Sequence, residues 1–225
     1  MKAQDNKPLS NSQRALHELR QLIFSGELSA GSDHLESELA ERLGMSRTPV
    51  REAALTLESK GLLELRPRKG VRILPVSPAD MREIYDVLTE LESLAAERAA
   101  QANYDEYQLR DLARAIEDMD QAIAEENLEA WGEADDRFHN ELVRLGGNTR
   151  VSDIVGMMAD QVRRARSSTL FIRPLPTKSN EDHRDVYHAI KNGDSDRARA
   201  KHRAHRQQAR EILVGLLEKH RLRQL

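Results

Sequence analysis

The stretch "ELAERLGMSRTPVREAALTLESKGLLELRPRKGVRI" (residues 38–73) decides how this chain folds at its start. Gly44 ends one short helical run. Ser46 then offers a side-chain oxygen to cap the next helix, which the apolar positions Val50, Ala54, Leu55 and Leu57 carry to about Lys60, with Leu62 packing beyond. After Gly61, "LLELRP" and "GVRILP" alternate as two short strands around the basic turn Pro67-Arg68-Lys69-Gly70. Toward the N-terminus, Leu16, Leu19, Ile23 and Leu28 fall on helical spacing from Ser12, and Gly26 is the stop. A turn over residues 29–32 leads to a short helix around residues 36–43. Helix, helix, turn, helix, hairpin is the order of a winged helix-turn-helix, here residues 12–76, with residues 1–11 expected to be disordered.

That order gives the charged side chains a purpose. Ser46, Arg47, Thr48 and Arg51 fall at the outward, N-terminal end of the third helix, where such a helix meets base edges in the major groove. The planar fork of Arg matches the two acceptors of guanine. Arg68, Lys69 and Gly70 sit at the hairpin tip, able to follow the DNA backbone, with Gly70 allowing close approach. The bland alternative for these cations is a solvated face. Residues 1–72 carry 12 Lys/Arg against 10 Asp/Glu, while the rest carries 23 against 28. Bulk charge therefore does not advertise nucleic-acid binding, which has to be local.

The run from "LRQLIFSGELSAG" through "SRTPVREAALTLESKGLLELRPRKGVRI" resembles the N-terminal domain of GntR-type bacterial transcription regulators over residues 16–73. The resemblance implies that Arg47, Thr48 and Arg51 contact a short palindrome in double-stranded DNA, with Gly70 and its neighbours at the wing. Ser37 departs from the family, some members of which carry a DNA-contacting Arg there.

Beyond Ser77-Pro78, an N-cap followed by Pro at the first helical position, everything is helical. Six runs at about 78–101, 105–125, 127–146, 149–171, 179–192 and 195–221 predict an all-α six-helix bundle over residues 77–225, so the fold class is mostly α. Scarce aromatics and 32% charged residues suit solvated amphipathic helices better than a β-sandwich. The absence of cysteine excludes disulfides and thiolate metal sites. The polar start has no apolar h-region and no run reaches membrane-spanning length, which places the protein in the cytoplasm without a membrane partner.

In "DDRFH", Asp135 precedes His139 by one helical turn, so both share a face, with Asp136 a weaker candidate for the same place. His183, His202 and His205 follow later in the chain. A carboxylate and three imidazoles converging in a bundle suit Zn²⁺, Ni²⁺, Mn²⁺ or Fe²⁺. Scattered surface or core histidines are the alternative. The segments "LTELESLAAERAA", "DDRFHNELVRLGGN" and "EDHRDVYHAIKNGDSDRARAKHRAH" resemble the FCD effector domain of the FadR subfamily, and six helices place it near the VanR-like branch. That resemblance implies a divalent ion, zinc or nickel before manganese or iron, held by Asp135, His139, His183 and His205. His188 and His202 are left at the surface or behind the ligands.

The resemblance also implies a small carboxylate effector. Many relatives hold it with an Arg on the first helix of this domain, where Leu88 stands here, so Arg163 and Arg166 are the candidate substitutes. Leu88, Leu91 and Leu94 suit the core or a dimer interface, with core the safer reading. A ligand-responsive homodimer follows, because a two-fold operator needs two heads. By family habit it is a repressor. The competing functions are a metal-dependent hydrolase or lyase with an accessory DNA-binding head, and an architectural DNA-binding protein without a ligand. No paired nucleophile and base, phosphate loop or "HExxH" supports the enzyme, and nothing marks Glu90 or Glu92 as a general base.

Overall fold

The computed structural model describes residues 9–220. Of the start expected to be disordered, residues 1–8 lie outside the described residues, and Asn11 already opens the first helix. The far end of the last expected helix, Arg221, also lies outside them. Among the described residues there are nine α-helices and one three-stranded sheet. The chain divides into two compact units between Pro75 and Val76.

In the first unit, α1 spans Asn11–Phe24. Ser10 and Gln13 cap it reciprocally: the Ser10 hydroxyl accepts the Gln13 N–H, and the Gln13 side chain accepts the Ser10 N–H at 2.9 Å. There follow β1 (Asp33–His34), α2 (Glu36–Arg42), α3 (Arg47–Ser59), β2 (Leu63–Arg66) and β3 (Gly70–Ile73). The antiparallel sheet runs in the order β1-β3-β2, with Asp33 opposite Arg72 and Leu65 opposite Val71. Leu19, Ile23, Leu39, Val50, Ala54, Leu57 and Leu62 close the helices over the sheet residues Val71 and Ile73. Strand β1 was not expected, because two residues are too few to show alternation.

Two expectations, on Leu55 and on the Ser46 cap, are corrected here, and Gly70 gains a structural reason. Leu55 does not join this core and is 49% exposed. The inward stripe of α3 is Val50, Ala53, Ala54 and Leu57, and one step along a helix turns Leu55 away from it. Ser46 occupies the N-cap position with an extended backbone but makes no side-chain cap hydrogen bond. Gly70 is required by the protein itself: its φ is +82°, and a Cβ there would stand 2.1 Å from the His34 carbonyl oxygen of β1. The close approach is between two strands of the wing.

The second unit consists of α4 (Pro78–Gln101), α5 (Glu106–Ala124), α6 (Leu128–Leu145), α7 (Thr149–Thr169), α8 (Thr177–Lys191) and α9 (Ser195–Lys219). Ser77 caps α4 by accepting the N–H groups of Ala79 and Asp80, and Pro78 takes the first helical position. Helix α7 stops at Thr169, two residues before its expected end, and a 3₁₀ turn (Leu170–Ile172) leads into the Pro-rich loop before α8. The long helices α4 and α9 lie along each other. One apolar cluster gathers Leu109, Leu112, Met119, Trp131, Phe138 and Val186; another gathers Met81, Tyr85, Leu88, Val155, Leu213 and Leu217. Leu88 is thus core, and Leu91 and Leu94 pack partly buried against it. At the end of α6 a Cβ on Gly146 would meet the Ala95 Cα at 2.7 Å, so the glycine lets α4 pass. Among the described residues no helix is long and apolar enough to cross a membrane.

Candidate functional site

The first turn of α3 turns Pro49 and Val50 inward and leaves Ser46, Arg47, Thr48 and Arg51 exposed. Arg47 and Arg51 both lean on Glu36 of α2, at 3.7 and 3.0 Å, with their side chains 70% and 62% exposed. Exposed pairs of this kind are weak, so Glu36 gathers the two guanidiniums without immobilising them. A groove runs between this helix end and the hairpin, lined by Glu36, Ser37, Arg47, Arg51, Arg66 and Arg68. At the hairpin tip the Arg66 carbonyl accepts the Lys69 N–H at 3.0 Å. Pro67 precedes Arg68, whose φ is +64°, the pattern of a type II turn. Arg66 and Arg72 are drawn to Asp33 at 3.0 and 3.5 Å, which leaves Arg68 and Lys69 as the exposed cations of the tip.

In the helical unit the expected ligands come together. Asp135 and His139 share a face of α6, His183 comes from α8 and His205 from α9. The Nε2 atoms of His183 and His205 are 3.2 Å apart. Asp135 Oδ1 is 3.6 Å from His183 Nε2 and 3.9 Å from His139 Nε2. One ring nitrogen from each of the three histidines lies within 4.8 Å of the others. Ligands about 2.1 Å from a common ion are spaced by such distances, so this set can hold a divalent metal. Burial, followed by the neighbouring His205 and His139, pushes the His183 pKa well below its ordinary value. Burial also lowers that of His205. Both rings are therefore neutral near pH 7, the form that coordinates metal. Burial opposes ionisation of Asp135, but the Arg166 guanidinium, with His139 and His205, outweighs it and holds the carboxyl below its usual range.

Three more side chains belong to this centre. Glu92 of α4 is buried, with Oε2 2.9 Å from His139 Nδ1 and Oε1 3.0 Å from Arg206 Nη2. His202 is fully buried, its Nδ1 3.3 Å from Ser93 Oγ and its Nε2 3.4 Å from Glu92 Oε2. It therefore lies behind His139, while His188 is exposed beside Tyr187. Glu92, a carboxylate on the apolar stripe between Leu88 and Ala96, carried a signal that its charge concealed: period 3.6 puts position 92 inward. Glu90, two residues earlier, is half exposed and pairs with Arg199 and Arg203.

Beside the cluster a cavity of about 230 Å³ opens between α4, α6, α9 and the loop before α8. His139, Asp135 and His205 form part of its wall, with Tyr85, Trp131 and Ile212 as apolar lining. Of the two candidate effector arginines, Arg166 reaches this wall, but its guanidinium is bound to both Asp135 and Asp136. Burial opposes its charge, and those two carboxylates raise its pKa nonetheless. Arg163 stands 3.2 Å from Asp136 Oδ2 and does not line the cavity. The sequence missed Arg173 and Arg206, which do line it, each with a buried Nε that has no hydrogen-bond partner. Burial lowers the Arg173 pKa, a sign of a cation short of counter-charge. Arg173 sits in an aperiodic loop, where spacing carries no signal.

Compared with known families, residues 83–208 match the FCD domain and residues 11–73 match the bacterial regulatory proteins of the gntR family. The chain is a GntR-family regulator with an FCD domain. It is 32% identical over 187 residues to an HTH-type transcriptional regulator from an unstable DNA locus of Streptomyces ambofaciens, covering 83% of this chain and 78% of that one. It is 28% identical to the transcriptional repressor RspR of Escherichia coli, with 79% and 78% covered. The solved structure of E. coli McbR/YncC shares its fold with a TM-score of 0.77 at 23% identity, covering 92% of this chain and 98% of that one. This GntR-family chain is a DNA-binding transcription regulator, and its relatives are regulators rather than enzymes. A hydrolase or lyase with an accessory head is thereby set aside.

Proposed function

We propose that this regulator is a homodimeric repressor. Its FCD domain holds one divalent ion on Asp135, His139, His183 and His205 and senses a small carboxylate in the adjoining cavity. The observation that carries this reading is the cavity itself, whose lining includes Arg173 and Arg206, each with a buried Nε, beside the imidazole–carboxylate cluster. Such an ion supplies positive charge and open coordination positions for an oxygen ligand. Arg173 and Arg206 offer N–H donors to the same anion, while Trp131, Leu175 and Ile212 admit its apolar part. Arg166 is committed to Asp135 and Asp136, so it orients the ligand carboxylate rather than meeting the effector first. Zinc or nickel suits the donor set, with manganese or iron next.

On the DNA side, Ser46, Arg47, Thr48 and Arg51 read bases, and Arg68 and Lys69 hold the backbone with Gly70 shaping the turn. One recognition helix covers too few base pairs for specificity, which favours two heads on a palindrome. Repression is supported by the function stated for RspR. An effector alters operator affinity only if it binds the two head arrangements unequally. Fluorescence anisotropy with a fragment library of the regulator's own promoter, run with the metal-loaded chain and a panel of small carboxylic acids, tests this. One acid that changes affinity for the selected fragment, and not for random DNA, is the expected result. Indifference of DNA binding to the whole panel and to metal would overturn the sensing role.

A further inference from the structure

Glu92 is a buried carboxylate on a helix, α4, that supplies none of the four expected ligands. We propose that Glu92 is the positioning residue of the metal centre: it accepts the Nδ1 proton of His139 and so keeps Nε2 unprotonated toward Asp135 and His183. The inference rests on the metal reading above.

A neutral imidazole carries one proton on one of two nitrogens. His139 Nε2 faces Asp135 at 3.9 Å, on the side of His183 and His205, while Nδ1 faces Glu92 Oε2 at 2.9 Å. With the proton on Nε2, the Nδ1 lone pair would meet a carboxylate oxygen, and the metal side would be blocked. With the proton on Nδ1, the carboxylate gains a donor and Nε2 presents a lone pair to the ion. His139 Nδ1 and Glu92 Oε2 are both buried and without a formed hydrogen bond, so a small turn of the ring closes the contact and satisfies both. The carboxylate that does this is itself fixed. Arg206 holds Oε1 at 3.0 Å, and His202 stands 3.4 Å from Oε2, steadied by Ser93.

Glu92, His139 and His202 also present donors within 4.8 Å of one another, so a second ion is the competing use of the same carboxylate. The Arg206 guanidinium argues against it, because a cation already occupies the charge of Glu92 at hydrogen-bond distance. A carboxylate that orients a metal-bound imidazole characteristically changes metal affinity by about 10–100-fold when removed.

The test uses the full chain, stripped of metal and titrated with Zn²⁺ alone against a chromophoric chelator. The variants are Glu92→Gln and the charge-neutral pair Glu92→Met with Arg206→Met. The His139 tautomer is read by ¹⁵N NMR of the metal-free chain. The expected result is Nδ1–H in the natural chain and a shift toward Nε2–H in the pair, with Zn²⁺ affinity about 10–100-fold lower. A smaller loss is expected in Glu92→Gln, whose amide oxygen still accepts. Unchanged affinity and tautomer in the folded pair would overturn the proposal. So would a second equivalent of Zn²⁺ that disappears with Glu92, which would make it a ligand. If the pair does not fold, Glu92→Leu, which has no acceptor, takes its place, and natural Zn²⁺ affinity and tautomer in it overturn the proposal instead. If the natural chain takes up no Zn²⁺, the metal reading fails separately, and the tautomer still decides the role of Glu92.

Discussion

Arg206 and Glu92 form an ion pair at 3.0 Å between α9 and α4, with both side chains almost wholly buried. The Arg206 guanidinium also lies over the Tyr85 ring, 4.7 Å from its centroid. Breaking a buried pair from one side strands the other charge, at a cost of about 3–5 kcal/mol, whereas replacing both with apolar groups is often close to neutral. Arg206→Met alone should therefore lower stability by several kcal/mol, and adding Glu92→Met should restore most of it. Urea unfolding of the four members of this cycle measures the coupling; two additive losses would mean that the pair does not act as a unit.

The shared leash on Arg47 and Arg51 gives a prediction of opposite sign for its holder. Glu36 places negative charge at the groove where phosphates would lie. Glu36→Gln should tighten DNA binding generally, while Arg47→Ala should cost on the order of 1–3 kcal/mol of specific binding if it reads guanine. Anisotropy titrations at several salt concentrations separate the two. Weaker binding by Glu36→Gln would show that the carboxylate is needed to orient the arginines.

At the wing, Arg68 holds a left-handed backbone that glycine adopts without cost. Arg68→Gly removes this strain while adding chain entropy to the unfolded state, so stability should change by no more than about 1 kcal/mol. DNA affinity should nevertheless fall, with the salt slope shallower by about 1 if one phosphate contact is lost. An unaltered slope would remove Arg68 from the interface.

Stability of the metal-free chain should depend on pH through the buried histidines. Burial lowers the pKa of His183 and His205 and takes that of His202 to about 3. The unfolded chain titrates near 6.5, so on acidification it gains protons that the folded state refuses, and stability falls as pH drops below that value. The depressed carboxylates of Asp135 and Glu92 act in a lower window: their contribution is present above the unfolded carboxylate range and is lost as pH falls through their folded values. A fall in thermal midpoint between pH 7 and pH 5, shallower in His202→Leu, is the expected outcome. A flat midpoint over that interval would contradict neutral burial of these rings.

Much of this was legible in the sequence because it is carried by local signals. Gly44 and Gly61 end helices with positive φ, Ser77-Pro78 opens α4, and Asp135 and His139 one turn apart share a face. What escaped was set by tertiary contact. A two-residue strand exists only because β3 pairs with it. Gly70 is demanded by that strand, and Leu55 misses the core by one helical step. Arg166 pairs with Asp135 and Asp136, and spacing cannot reveal which of several arginines a folded carboxylate will choose.

The most direct measurement is metal analysis of the full chain and its His183→Ala variant, both purified without chelator or nickel resin. Roughly one divalent ion per chain is expected in the natural protein, given three histidine nitrogens within 4.8 Å of one another and Asp135 beside two of them, and none in the variant. Absence of metal from both, or retention of the full complement without His183, would contradict a metal centre at this cluster.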